Sequence, residues 1–148
     1  MKRIAIAVLL FFAVGLAAQQ NYQKSTAMSF KLKSISASKN GPSKIGMFRS
    51  KQVVWLNIEI IGLRKDADNN FSFQSDLTLN DPDKQTILNV PNILNQQLNA
   101  PDANTVVANY NINLGGQMKP GKYDVTIVFR DVNAVTYSDF KASFFVSE

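Results

Sequence analysis

Apolar side chains recur at every second position along most of this chain, and that period decides what it can fold into. Val54, Leu56, Ile58 and Ile60 alternate with Val53, Trp55, Asn57, Glu59 and Ile61. Val106, Ala108, Tyr110, Ile112 and Leu114 alternate with Thr105, Asn109, Asn111 and Asn113. Tyr123, Val125, Ile127 and Phe129 alternate with Lys122, Asp124, Thr126 and Arg130. The same beat places Met28, Phe30 and Leu32 against Lys31 and Lys33, sets Phe71, Phe73, Leu77 and Leu79 on one face, and sets Phe140, Ala142, Phe144 and Val146 on another. Successive side chains of a strand point to opposite faces, so a period of two means strands with one dry face. Buried parallel strands would read as unbroken apolar runs, and helices would repeat every 3.6 residues. The expectation is an all-β, antiparallel fold of about seven strands in two sheets packed face to face.

Turn chemistry separates the strands. Asp81-Pro82-Asp83-Lys84 offers a side-chain acceptor followed by a preset φ, and Pro120-Gly121 offers a preset φ followed by a residue tolerant of positive φ. "ISASKNGPSKIG" (35–46) reads as a loop. Residues 86–103 are the least regular part, with two prolines and several asparagines. A short strand at Ile87–Val90, then a loop with one helical turn around Ile93–Leu98, is the expectation there.

The first residues read as a targeting segment. Lys2 and Arg3 precede an apolar run from Ile4 to Ala18 that closes on small residues. The run is shorter than the roughly 20 residues of a membrane span, and its flanks fit a cleaved secretory signal. The expected organisation is a signal peptide at 1–18, an N-terminal arm at 19–26 and one domain at 27–148. No stable membrane insertion is expected after cleavage, and the protein is expected to be secreted or periplasmic. With no cysteine, the core must supply stability without disulfides. Without Lys2 and Arg3, fourteen basic residues stand against eleven acidic ones, a net of +3. Lys24, Lys31, Lys33, Lys39, Lys44, Arg49 and Lys51 fall in one stretch free of acidic residues. This stretch reads either as a solvated strand edge that discourages aggregation or as a surface for an anionic partner.

The segment "PGKYDVTIVFRDVNAVTYSDFKASFFV" resembles the closing strands of bacterial immunoglobulin-like or fibronectin-III-like domains. The matching residues are Pro120, Gly121, Tyr123, Asp131, Phe144 and Val146. "LTLNDPDKQTIL" is similar to a hairpin of the same domains. The resemblance spans about residues 50–146 and implies an immunoglobulin-like sandwich. It says little about activity, because such sandwiches host many roles. Tyr123 is expected to bury its ring and to send its hydroxyl to a backbone partner at the rim.

Chemistry is sparse. The chain has no His and no Cys, which removes the commonest general base, the thiol nucleophile and the usual zinc ligands. Glycoside hydrolysis by paired carboxylates is poorly served, since beyond residue 18 the only glutamates are Glu59 and Glu148. No catalytic residue, cofactor or metal site is expected. Asp66, Asp68 and Asn70 begin like a calcium loop, but Phe71 and Leu77 stand where that loop needs Gly and Glu. They read as a polar turn.

Trp55 stands out. It alternates out of phase with Val54, Leu56, Ile58 and Ile60. It is therefore either an anchor on an outer sheet face, with Asn57 and Glu59 as polar rim, or a ring covered by the 91–103 segment or the N-terminal arm; Lys31 and Lys33, from the basic stretch, are the other candidate binding residues. A bulge near Val53-Val54 would instead return it to the core. The expected function is an exported, non-catalytic interaction module of the cell envelope, taking a protein or glycan on a sheet face or end loops. The alternative is an accessory subunit of a larger exported assembly, joined by edge-strand pairing. Nucleic acid is not expected, because the basic stretch lacks interleaved aromatics.

Overall fold

The structure, a computed structural model, describes residues 21–38 and 47–148. The signal peptide expected at 1–18 and most of the loop expected at 35–46 lie outside these residues. Among the described residues there are nine strands and no helix. They are β1 (Gln23–Lys24), β2 (Ser29–Ser36), β3 (Met47–Arg49), β4 (Val53–Ile61), β5 (Asn70–Asn80), β6 (Thr86–Asn99), β7 (Thr105–Asn113), β8 (Gly121–Asp131) and β9 (Thr136–Ser147). One sheet has six strands in the order β1-β9-β8-β5-β6, with β3 also paired to β9. The other has three, in the order β2-β4-β7. The all-β, two-sheet architecture is as the alternation requires.

Three expectations are corrected. The strands number nine rather than about seven, because β1 and β3 are too short to show a period. The larger sheet is mixed rather than antiparallel, since β1 and β3 both run parallel to β9. Residues 86–99 form one strand instead of a short strand, a loop and a helical turn. Its two halves pair with β5 on either side of a bulge: Leu77 lies opposite Val90 and Ser75 opposite Leu94, so Pro91, Asn92 and Ile93 fall out of register, with Pro91 and Asn92 exposed and Ile93 packed against the core. Proline is tolerated there because β6 is an edge strand. The Asn92 N–H is satisfied by Asp76 Oδ1 at 2.8 Å.

The core lies between the sheets and follows the alternation closely. Val54, Leu56, Ile58 and Ile60 of β4 are fully buried, as are Val125, Ile127 and Phe129 of β8. Burying side chains of this size stabilises a fold by about 1.5–3 kcal/mol each. One polar contact is sealed in with them, and a second lies at the rim. Ser75 and Tyr110 share a hydrogen bond of 2.8 Å across the sheets. The Tyr123 ring stacks on Phe144 at 5.6 Å, and its hydroxyl donates to the Lys119 carbonyl at 2.9 Å, as expected from the sequence. Gly121 has a φ of 140°, and a Cβ there would approach Pro82 Cγ to 2.7 Å, so this turn needs glycine.

Asp131 closes one end of the sandwich. It is buried, and its carboxylate accepts the backbone N–H groups of Arg64, Asn133 and Ala134 at 2.7, 3.1 and 3.2 Å. At the outer face of the larger sheet, Arg130 pairs with both carboxylate oxygens of Asp76. Partial burial opposes ionisation of Asp76, but Arg130 and the Asn92 N–H outweigh it and hold the carboxyl below its usual range. On the same face, Asp124 is held down to about 2, chiefly by Lys84 Nζ at 2.5 Å and then by the Ser143 hydroxyl at 2.8 Å.

Two outcomes are expected. Asp131→Ala strands three N–H groups and lowers stability by about 3 kcal/mol in urea unfolding, within the range for buried donors left unpaired. Asp124 titrates near 2 by carbon-detected NMR, and Lys84→Ala moves that midpoint up. Because its folded pKa lies below its unfolded one, the Asp124 contribution is present above about pH 4 and is lost as pH falls toward 2.

Candidate functional site

The outer face of the three-stranded sheet brings the sequence-derived candidates together. β4 is the central strand, so its outward residues have neighbours on both sides. Trp55 lies between Ser36 of β2 and Asn111 of β7. Asn57 lies between Ser34 and Asn109, and Glu59 between Lys31 and Val107. The β4–β7 register runs unbroken from Val53–Asn113 to Ile61–Thr105, so no bulge returns Trp55 to the core. Trp55 is half-buried on the outer face while Val54 and Leu56 are buried on the inner one. Residues 91–99 belong to β6 of the other sheet and therefore do not lie across this face.

Local geometry fixes the polar groups. β2 carries one extra residue between Leu32 and Ser34, and that residue is Lys33. The bulge leaves Lys33 without a cross-strand partner and brings its Nζ within 3.8 Å of Glu59 Oε2. Glu59 Oε1 accepts the Thr105 hydroxyl at 3.1 Å. Asn57 Nδ2 donates to Ser34 Oγ at 2.5 Å. Lys31 is exposed. The face is therefore close to neutral around the indole, with its one carboxylate engaged by Thr105 and Lys33.

Asn109, Asn111 and Asn113 are exposed along β7 and complete this surface. Outward residues of one strand repeat about every 7 Å, and strands lie about 4.8 Å apart. The three amides thus form a row of about 14 Å beside Trp55. The alternation marked them as one face of a strand, but it could not say that β7 lies next to β4. The basic stretch gathers on one side of the sandwich: Lys24 and Arg49 lie on β1 and β3, and Lys31 and Lys33 lie on β2.

The remaining candidates fall elsewhere. Asp66 Oδ1 accepts the N–H groups of Asp68 and Asn70, each at 2.9 Å, and Oδ2 accepts Asn70 Nδ2 at 3.2 Å. Its carboxylate therefore shapes a turn. A depression of about 400 Å³ borders Asp124, Lys141 and Ser143, and one of about 390 Å³ borders Met118, Lys119 and Glu148. Neither adjoins Trp55.

No protein-family model and no curated protein matches the chain. Among solved structures it is similar to part of an alkylpurine DNA glycosylase, AlkC, from Pseudomonas fluorescens, bound to DNA containing an abasic site analog. The TM-score is 0.53 at 9% identity, over 82% of this chain and 31% of that one. It is similar to part of a family 123 glycoside hydrolase from Clostridium perfringens, with a TM-score of 0.52 at 11% identity, over 83% and 28%. The C-terminal domain of wzt matches with a TM-score of 0.49 at 7% identity, over 88% and 83%. This chain spans less than a third of the length of either enzyme. At 9% and 11% identity the likeness to the two enzymes shows a class of fold, the two-sheet β-sandwich, and no activity.

The two faces of β4 should respond differently to truncation. Leu56→Ala is expected to cost about 2–5 kcal/mol, as for buried leucines generally. Trp55→Ala is expected to cost less than about 2 kcal/mol, because only part of its surface is removed from water. Urea melts of the two variants check this. Equal losses would place Trp55 energetically in the core.

Proposed function

We propose that this protein is an exported, non-catalytic binding module of the cell envelope, and that it holds a glycan on the outer face of the three-stranded sheet. The observation that carries the reading is the position of Trp55. A flat apolar ring stands off the core, amid the amides of Asn57, Asn109 and Asn111. Ligand sites commonly combine an apolar surface with a few placed polar groups. An amide donates and accepts at once, which suits a ligand rich in hydroxyls. A protein partner would call for a larger apolar centre than Trp55 and its sheet neighbours Val53 and Val107 supply.

Several features support the rest of the proposal. β2, β4 and β7 carry one carboxylate between them, Glu59, whereas glycoside hydrolysis by acid and base uses two. Lys2, Arg3 and the apolar run to Ala18 support export. The sandwich is of the immunoglobulin-like or fibronectin-III-like kind, a reading favoured by Tyr123 and its bond back to Lys119.

A glycan array followed by calorimetry tests the proposal. A neutral oligosaccharide is expected to bind, with a shift in the emission of Trp55, the chain's one tryptophan. Trp55→Ala is expected to weaken binding by about tenfold or more, equivalent to about 1.4 kcal/mol. Binding that survives Trp55→Ala unchanged would sink the site, and silence across the array would sink the ligand class.

A further inference from the structure

The two sides of the sandwich are built differently. On one side the edge of the larger sheet is covered at both ends, because β1 pairs with β9 at Thr136–Tyr137 and β3 pairs with it at Phe145–Ser147, and the stretch between carries Asp139 and Lys141. The small-sheet edge beside it, β2, carries Lys31 and Lys33. That side is thus guarded in the usual ways, by covering strands and by lysine. Among the described residues, the other side has two open edges, β6 and β7. The sequence of β6 is TILNVPNILNQQLN and that of β7 is TVVANYNIN, and neither holds a charged residue. An open edge of 14 residues without one charge has only Pro91 and the strand's bulges to discourage pairing, and no lysine or covering strand.

The side chains of β6 add to this. Leu88, Val90, Leu94 and Leu98 lie opposite Leu79, Leu77, Ser75 and Phe71 of β5, whose side chains point into the core. They therefore belong to the inward face of the larger sheet. The three-stranded sheet stops short of them: Tyr110 of β7 reaches Ser75 of β5, and Phe30 of β2 reaches Phe129 and Phe140 of β8 and β9. Leu88 is left 36% exposed and Leu98 44% exposed, and Ile87 on the other face of β6 is 47% exposed. The result is an apolar shelf beside an unpaired backbone.

We infer that β6 is a self-association edge, on which a second copy of this chain pairs antiparallel about a two-fold axis and joins two six-stranded sheets into one. The occupant follows from the chemistry of the strand. A two-fold interface sets a patch against itself, so the patch must be self-complementary. Charged patches fail this condition, whereas amides meet it because each both donates and accepts. Between its apolar residues β6 carries Asn89, Asn92, Asn95, Gln96, Gln97 and Asn99. Charge distribution acts in the same sense. The chain is basic overall, at +5, and the side bearing β1, β2 and β3 carries Lys24, Lys31, Lys33 and Arg49. Pairing through β6 puts those cations at the far ends of the dimer.

The bulge sets where the axis falls. Pro91 has no N–H, and the Asn92 N–H is taken by Asp76. The middle of the edge is therefore poor in free donors, while Thr86–Val90 and Leu94–Asn99 flank it with similar lengths. An axis at the bulge runs the first half of each strand against the second half of the other. The leucines then meet as cross-strand neighbours on one face.

Sedimentation equilibrium on the full domain, from about 1 μM to about 1 mM, spans weak to moderate association. The expected result is a monomer–dimer equilibrium, with β6 amides gaining hydrogen-exchange protection as concentration rises. Leu98→Lys and Ile87→Lys each place a cation at an already exposed position, and each is expected to shift the chain to the monomer by about tenfold or more in Kd. Phe145→Lys, on the outer face of β9 and 47% exposed, is expected to leave the equilibrium in place. Circular dichroism confirms that each variant is folded. Since Leu98 and Ile87 are independent sites, misfolding of one leaves the other to decide. A wild-type monomer across the whole range overturns the inference. So does a dimer indifferent to both lysines, or an open-ended series of larger species.

Discussion

Phe129 is the contact on which the two-sheet arrangement depends. It projects from β8, in the interior of the larger sheet, and is fully buried. Phe30 of β2 stacks on it with centroids 4.8 Å apart, and Tyr110 of β7 meets it edge-on at 6.0 Å. One ring from the larger sheet thus engages both edge strands of the smaller one, with β4 spanning the interval between them. Aromatic pairs in offset or edge-on geometry contribute about 0.5–1.5 kcal/mol beyond the area they bury. More important is alignment, because three rings and the Ser75–Tyr110 hydrogen bond admit few relative placements of the sheets. With the sheets so placed, the phase of every strand follows. The outward surface of β4, where Trp55 stands, is one consequence. The uncovered margin of β6 is another.

The alternation made much of this legible. The strands at 53–61, 70–80, 105–113 and 121–131 could be read with their inward and outward rows, because burial on one face imposes a period of two. Trp55, Asn57 and Glu59 could be placed together on one outward row for the same reason. The Lys33–Glu59 approach could not, because it depends on a one-residue bulge in β2 that leaves no mark in composition. Nor could the row of Asn109, Asn111 and Asn113 be joined to Trp55, since strand order is set by long-range pairing. β6 defeated local reading altogether. Its proline and amides signal a loop, and it is a strand because β5 offers a template on either side of the bulge. The short strands β1 and β3 owe their existence to β9 in the same way.

A division of labour between the two sheets emerges. The larger sheet holds most of the ion pairs, including Arg130 with Asp76 and Lys84 with Asp124. These pairs set opposite charges side by side on its outer surface. The smaller sheet keeps its outer surface nearly neutral and rich in amides. Surface ion pairs contribute little stability, so the contrast matters more for what each face can recognise than for how firmly the domain folds.

The parallel pairing of β1 and β3 with β9 has a consequence for how the chain comes to be folded. Residues 23–24 and 47–49 have as their partners residues 136–147, roughly a hundred positions away. Neither segment has a template until β9 has been synthesised and laid beside β8. Contacts between such distant parts of a chain form late, because loop closure must precede them. Completion of the larger sheet therefore waits on β9, and β1 and β3 stay unpaired until it is in place.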